Sequence, residues 1–395
     1  MRRALVTTAL LALLAPALPA GTATAVNASG PDLRTAPAAP AERAVPDLAV
    51  STRVAGLNHP WDVKELPSGS LLITERDPAR LTLSTRSGTK RTVRFPSARI
   101  WTSGETGLMG LAVDPGFAKN RRFYTCSGWE KDGPGHDVRV NAWTLDRGER
   151  RATLERALLT GLPTTSGRHG GCRVLVAQDG SLVVGTGDAA VGSNPRDLGS
   201  LGGKTLRLNR FSGKPWPSNP FVRSPNRAKR YLLTFGHRNV QGLAQRANGS
   251  LWSVEHGSFR DDEVNLLVPG GDYGWHPVPG YNEQVPMTDQ NLPGRQVNAR
   301  WRSGNPTVAT SGATFVYGDQ WGDLDGALFA ATLAGERLLA MTFGSKGFLR
   351  GVTTPPALAG TQGRLRTVTQ LRNGNVLICT DADGGQGRVL LVRPR

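Results

Sequence analysis

The chain of 395 residues is poor in the residues that staple, coordinate or span: 3 cysteines, 4 methionines, 5 tyrosines and 6 histidines. No C-x-x-C-H segment occurs, which excludes a covalently attached haem. Three cysteines allow one disulfide and leave one thiol over, and their spacing matches no zinc site. Beyond the first 18 residues no apolar run is long enough to cross a bilayer. No window carries a sustained helical period, which argues against a helical bundle. Negative charge is scarce as well: 31 acidic residues face 48 basic ones, for a formal charge of +17. The arginines are scattered and lack interleaved aromatics, so a nucleic-acid surface is not expected. Such a chain suits contact with anionic polymers of a cell envelope, and a few guanidinium groups can also clasp a small acidic ligand.

What is present is turn chemistry and short apolar runs. Gly 49 and Pro 27 favour loops over long helices. At the start, Arg2 and Arg3 precede an apolar stretch from Ala4 to Leu18, and Ala23-Thr24-Ala25 supplies an A-x-A cleavage site. A secretory leader is therefore expected at 1–25, followed by a flexible Ala/Pro/Ser/Thr segment at 26–48 and one domain at 49–395. Within that domain a pattern recurs: a turn with Gly or Asn, three or four apolar residues, then Thr, Ser or an acid. Copies occupy 67–77, 118–128, 178–188, 247–257, 324–335 and 372–383. Spaced roughly 50 to 75 residues apart, they fit units of four short strands, and six of them predict an all-β, six-bladed propeller. Polar residues closing the copies (Glu75, Asp188, Glu255, His256 and Asp381) would converge at one end of a central channel, unless they are ordinary turn-capping acids. Cys126 and Cys172 flank the stretch that carries the chemistry and are the expected disulfide pair, with Cys379 left free.

That stretch is GRHGGCRVLVAQDGSLVVGTGD, 167–188. His169 stands among glycines 167, 170 and 171, which either make a turn or clear space around an imidazole that reaches a ligand. A neutral imidazole suits proton transfer at ordinary pH, and an aspartate such as Asp188 would fix its tautomer.

GLNHPWDVKELPSGSLLITER (56–76), GETGLMGLAVDPGFAKNRRFY (104–124), the 167–188 stretch, LGGKTLRLN (201–209), YLLTFGHRNVQGLA (231–244), VEHGSFRDDEVNLLVPGGDYGW (254–275) and GRLRTVTQLRNGNVLICTDAD (363–383) occur in this order. Together the chain resembles the soluble PQQ-dependent sugar dehydrogenases of the glucose/sorbosone dehydrogenase family, from about residue 50 to the C-terminus. The resemblance implies a six-bladed propeller that holds pyrroloquinoline quinone (PQQ) and Ca²⁺ over the channel mouth and oxidises the C1 hydroxyl of an aldose, passing electrons to an external acceptor such as a quinone, dye or cytochrome. It places the general base at His169, with Arg173 four residues on, and the orienting carboxylate at Asp188. Arg238, Asn239 and Gln241 would lie against the quinone and substrate, Arg238 also steadying charge on the quinone oxygen. Arg364 and Arg366 would grip the cofactor carboxylates. Main-chain carbonyls of Gly257 and Ser258 would hold the cofactor's Ca²⁺, and Glu263 with the Tyr273 carbonyl would help build a second, structural Ca²⁺ site. Hard oxygen donors of this kind suit calcium. The glycines beside His169 would then keep side chains from blocking the sugar. Asp261 and Asp262 read equally as a solvated acidic turn. His256 reads as a hydrogen-bonded structural residue, and Tyr273 and Trp275 as packing anchors or pocket walls.

Departures from the family pattern bear on cofactor grip and on glucose specificity. A lysine expected near the quinone is replaced by Ala334, with Arg337 and Lys346 as substitutes to weigh. Ser258 stands where proline is frequent, and Cys172 beside the histidine is unlike the glucose-specific members. Two other readings stay open: a non-catalytic exported propeller that binds carbohydrate or protein, and a Ca²⁺-dependent lactonase-like hydrolase. Loops at 128–142, 189–200 and 275–312 carry no readable motif, so the sugar itself is not identified.

Overall fold

A computed structural model describes residues 44–395. The leader expected at 1–25, and the lead-in segment up to residue 43, lie outside the described residues. Twenty-four strands form six antiparallel sheets of four. Five blades take their strands consecutively, over 60–92, 108–162, 171–235, 240–302 and 310–353. Blade 6 takes Leu365–Gln370, Val376–Thr380 and Gly387–Pro394, and receives the strand Leu48–Leu57 as its outer edge. Val50 pairs with Val392 and Val54 with Val389, so the two ends of the domain close the ring through a β ladder.

Six inner strands line the axis: Pro60–Glu65, Leu108–Val113, Gly171–Val176, Val240–Gln245, Thr310–Phe315 and Leu365–Gln370. Each packs against the next, and the last against the first. All six copies of the repeated pattern fall at one place, the turn after the inner strand and the second strand of a blade. The reason is burial on two faces. A second strand has a neighbouring blade above and below, so Leu71–Glu75, Ser181–Thr186, Leu328–Thr332 and Val376–Thr380 are buried along their whole lengths. They therefore read as continuous apolar runs and not as alternating ones. Outer strands such as Lys90–Thr92 and Leu349–Thr353 are mostly exposed.

An apolar cluster between blades 2 and 3 contains Tyr124, Val140, Val184 and Leu206, together with Cys126 and Cys172. These two cysteines form the disulfide, joining the second strand of blade 2 to the inner strand of blade 3, and Cys379 is the buried free thiol. Among the described residues no helix is long and apolar enough to cross a membrane. Inner strands begin, and second strands end, at the same end of the ring. That end, called the upper face here, carries the polar cluster.

Candidate active site

The loop 167–170 drops into the inner strand of blade 3 on the upper face. His169 has φ +53 and Cys172 φ +76, left-handed values that non-glycine residues hold only under constraint. The constraint is visible. The disulfide ties Cys172 to blade 2, the Gly171 N–H donates to Asn239 Oδ1 at 3.1 Å, and the His169 N–H donates to Glu105 Oε2 at 3.3 Å. The glycines do not clear space for a sugar, contrary to expectation. A Cβ on Gly167 would lie 1.9 Å from the Ser103 carbonyl oxygen, on Gly170 2.5 Å from Thr106 Oγ1, and on Gly171 2.2 Å from the Gly187 nitrogen. Protein fills those directions, so their bareness lets the loop wedge between blades 2 and 3.

His169 and Asp188 are brought together as expected. Nδ1 of the buried imidazole is 2.8 Å from Asp188 Oδ1. Ala189 and Ala190 both take left-handed φ, which returns the Ala190 N–H to the same oxygen at 2.8 Å. Asp188 Oδ2 accepts from Trp275 Nε1 at 2.8 Å and from the Tyr281 hydroxyl at 2.7 Å. A carboxylate collecting these donors takes the Nδ1 proton of His169 as a further one, which leaves Nε2 as the basic nitrogen. Nε2 has no protein partner among the described residues. Trp275 is thus neither a mere anchor nor a pocket wall; its indole holds the carboxylate.

A chain of polar side chains runs on around the mouth. Gln241 Nε2 donates to Asn239 Oδ1 at 3.1 Å, and Arg366 Nη1 donates to Gln241 Oε1 at 3.2 Å. Arg366 Nη2 reaches Asp381 Oδ2 at 2.9 Å, with Arg364 Nη2 3.7 Å from that oxygen and His59 Nδ1 3.2 Å from Oδ1. Burial opposes ionisation of Asp381, but Arg366 and its companions hold the carboxyl well below its usual range. The Arg238 N–H donates to Glu255 Oε2 at 2.9 Å, its Nη2 reaches Glu283 at 2.6 Å, and its guanidinium lies over the Trp275 ring. Three side-chain nitrogens in this cluster are buried without a partner: Nε of Arg238, Nε of Arg366, and Nε2 of His256. Burial, then Arg366 and Arg238, push the His256 imidazole far below its ordinary range, so the ring is neutral. His256 is therefore not the hydrogen-bonded structural histidine expected. That place is taken by His237, held between Thr234 and Glu255 at 2.8 Å each and stacked on Tyr273.

Other expected residues are engaged differently. Glu75 is spent inside blade 1 on Arg80, Thr82 and the Asn58 N–H, as a turn-holding acid. Asp262 is buried, accepting from the N–H groups of Gly257 at 2.9 Å and Val308 at 2.7 Å, and so shapes the loop that carries Gly257 and Ser258. No donor reaches the carbonyls of these two residues among the described residues, and two free carbonyl oxygens in the loop beside His256 are of the hard donor type that suits a calcium ion. The second calcium site does not fit. Glu263 accepts from Thr288 Oγ1 at 2.8 Å, Asn265 at 3.4 Å and the Arg302 guanidinium at 3.2 Å, so a cationic side chain already occupies the carboxylate. The Tyr273 carbonyl, the other expected ligand, accepts from no donor among the described residues, so the misfit lies at Glu263. Of the two substitutes for the missing lysine, Lys346 lies in the turn between the third and fourth strands of blade 5, at the opposite end from the site. Arg337 and Ala334 lie in the turn on the upper face, where Arg337 Nε folds back on the Gly335 carbonyl at 2.9 Å.

Residues absent from the motif reading are Glu105, His59, Tyr281 and Glu283. Glu105 and His59 stand inside quoted motifs, so their position beside the upper-face strand ends was available. Tyr281 and Glu283 come from a Pro/Gly-rich connection with no periodicity to place them.

The upper face of the propeller thus brings together a histidine committed through Nδ1 to a carboxylate and arginines with unspent donors. The family model for Glucose / Sorbosone dehydrogenase matches residues 57–393. The chain belongs to this family and is an oxidoreductase of the sugar dehydrogenase kind. It is 27% identical over 350 residues to aldose sugar dehydrogenase YliI of Escherichia coli, covering 86% of this chain and 91% of that one. It is 32% identical over 257 residues to quinoprotein glucose dehydrogenase B of Acinetobacter calcoaceticus, covering 58% of this chain and 52% of that one. The structure of the PQQ-bound aldose sugar dehydrogenase of Streptomyces coelicolor superposes with a TM-score of 0.74 at 27% identity, covering 89% of this chain and all of that chain.

Proposed function

We propose that this chain is an exported quinoprotein that oxidises the C1 hydroxyl of an aldose to a lactone, using PQQ and one Ca²⁺. The observation that carries the reading is the trio of buried, unpartnered side-chain nitrogens on Arg238, Arg366 and His256, set beside the His169–Asp188 pair. PQQ bears three carboxylates and an ortho-quinone, and such a group would engage the two guanidinium donors. Arg364, Arg366, Arg238, Asn239 and Gln241 would hold it, and the carbonyls of Gly257 and Ser258 would hold the ion. When bound, the quinone supplies the acceptor for two electrons and the ion raises its electrophilicity.

The chain's own residues do the rest. Nε2 of His169 takes the proton of the sugar hydroxyl, and Asp188 keeps the proton on Nδ1 and steadies the imidazolium that forms. Arg238 and Arg366 keep positive charge beside the reacting centre without water needing to reorganise. The neutral His256 adds a polar contact without a competing charge. With no segment for a covalently attached haem in the sequence, electrons would leave to an external acceptor. Association with anionic envelope polymers belongs to the same reading. The insertion at 210–230 in blade 3 carries Arg210, Lys214, Arg223, Arg227, Lys229 and Arg230 and no acidic residue.

The hydrolase alternative gains no support, since among the described residues no group of three or more His, Cys, Asp or Glu side chains is placed to hold a metal. The decisive experiment mixes metal-free protein with PQQ and Ca²⁺ and follows reduction of a dye across a panel of aldoses, with His169→Ala alongside. Sugar-dependent reduction that needs both additions and disappears in the variant is the expected result. No binding of PQQ would overturn the reading and leave a binding propeller.

A further inference from the structure

The connection from the third to the fourth strand of blade 4, residues 267–300, returns to the upper face and places two side chains against the His169 loop. The Tyr281 hydroxyl lies 3.0 Å from His169 Nδ1 and 2.7 Å from Asp188 Oδ2. Two residues on, Glu283 Oε1 accepts from Arg168 Nη2 at 2.8 Å and from Arg238 Nη2 at 2.6 Å, so one carboxylate ties the base loop to blade 4. The Arg168 guanidinium covers the Tyr281 ring, and Trp275 meets that ring edge-on.

We propose that Tyr281 is a positioning residue for His169, its hydroxyl bridging Asp188 and Nδ1 and thereby holding the ring in place and tempering the carboxylate that fixes its tautomer. This rests on the reading of His169 as the base. A phenol has one proton to give. The shorter contact, to Asp188 Oδ2, receives it, and the oxygen's lone pairs then face the Nδ1 proton, which is shared between Asp188 Oδ1 and Tyr281. Burial and the Asp188 charge both drive the phenol's ionisation upward, so it stays a donor. The need for such a bridge follows from the backbone. His169 is held at a left-handed φ, where the loop alone does not favour one ring orientation, and the contacts at Nδ1 are what hold the ring. The imidazole is met by Asp188 from blade 3 and Tyr281 from this connection and feels His256 from blade 4, while Glu105 accepts from its backbone N–H and Glu283, paired with Arg168 and Arg238, stands next to Tyr281.

Tyr281→Phe keeps the ring and its packing and removes only the hydroxyl. Asp188 then has one donor fewer and becomes the stronger partner of Nδ1, and a charged carboxylate outweighs the neutral acceptor that is lost. The test is a ¹⁵N and ¹H titration of the His169 ring in the protein without cofactor or sugar. In the parent, Nδ1 should carry the proton in the neutral form. In the variant the midpoint should rise by about half a pH unit or more, with Nδ1 still carrying the proton above it. An unmoved or lowered midpoint would overturn the proposal. If the reconstituted parent oxidises sugar, kcat in the variant should fall about tenfold with KM little changed. If the parent oxidises no sugar at all, the reading of function fails while the titration still decides the role of Tyr281.

Discussion

Arg173 Nη1 lies 2.8 Å from Asp62 Oδ2, and the two residues come from inner strands that are not neighbours, so the pair spans the channel. Arg173 also donates from Nε to the Gln241 carbonyl at 2.8 Å and from Nη1 to Thr367 Oγ1 at 3.2 Å, over the Trp61 ring at 3.9 Å. Lys64 Nζ takes the other oxygen of Asp62 at 2.7 Å. Burial opposes ionisation of Asp62, yet Lys64 and Arg173 hold it below the usual carboxylate range. The pair is a floor: above it stands the polar cluster, and below it an axial cavity of about 310 Å³ is lined by Lys64, Gln178, Gln245, Thr314 and Gln370.

Removing one partner of that pair strands the other. Arg173→Met should cost about 3–5 kcal/mol, because Asp62 keeps only a partly exposed lysine. Arg173→Lys should recover part of the loss but not the planar fork that reaches three blades. Urea unfolding of the three proteins checks the order. Equal stability of Arg173→Met and the parent would show that the floor is not held this way.

Asp188→Asn keeps the size and the acceptor oxygen but presents an amide N–H to His169 or to the indole. Either the Nδ1 proton moves to Nε2, or a donor faces a donor. Turnover with the reconstituted protein should fall by roughly a thousandfold with the fold intact. Single-turnover kinetics with circular dichroism as the fold check decides the point. A loss below about tenfold would mean that the carboxylate does not set the tautomer.

Much of this was legible because the informative residues adjoin strand ends. His169, Asp188, Arg238, Asn239, Gln241, Arg366 and Asp381 stand at or next to the first residues of inner strands or the last residues of second strands, so blade periodicity alone carries them to one face. Second strands were legible for a different reason, their burial on both faces. What was not legible depends on partners far apart in sequence. Tyr281 reaches His169 across 112 residues from a connection whose path no local pattern dictates. The glycines at 167, 170 and 171 are explained only by which atoms approach them from blade 3 and from blade 2 and the loop before it. Glu263 looked like a calcium ligand until Arg302, on the paired strand, appeared as its counter-ion.

Glu263 gives a pH dependence with a definite sign. Burial, and then the carboxylate of Glu255 opposite it on the adjacent strand, pushes Glu263 up to about 7 from an ordinary value of 4.5. Between those two values the folded protein keeps a proton that the unfolded chain has released. Its contribution to stability is therefore whole below about 4.5 and is lost as pH rises to about 7. Glu263→Gln, which stays neutral, should flatten this slope and leave the protein the more stable of the two at pH 7.5. Urea unfolding at pH 5 and pH 7.5 measures it, with a chelator arm added. Should Glu263→Gln lower stability at pH 7.5 and a chelator lower that of the parent, the carboxylate would be a cation ligand after all.

Gly187 precedes Asp188, and a Cβ there would stand 1.8 Å from the His169 carbonyl oxygen and 2.9 Å from Asn239 Oδ1. Neither neighbour can yield cheaply. The His169 carbonyl belongs to a backbone already held at positive φ, and Asn239 Oδ1 already accepts from Gly171 and Gln241. Gly187→Ala must therefore displace the loop that carries the imidazole, without adding or deleting any group that does chemistry. A shift near 1 Å at the base costs about a hundredfold in turnover, and the strain should lower the melting temperature as well. Gly133→Ala is the matched control, since a Cβ at 133 meets nothing within 4 Å. Turnover and melting of the two variants side by side separate a geometric effect on His169 from a general intolerance of alanine. If Gly187→Ala turns over like Gly133→Ala, the close packing of His169 against Gly187 is not what sets the geometry of the base.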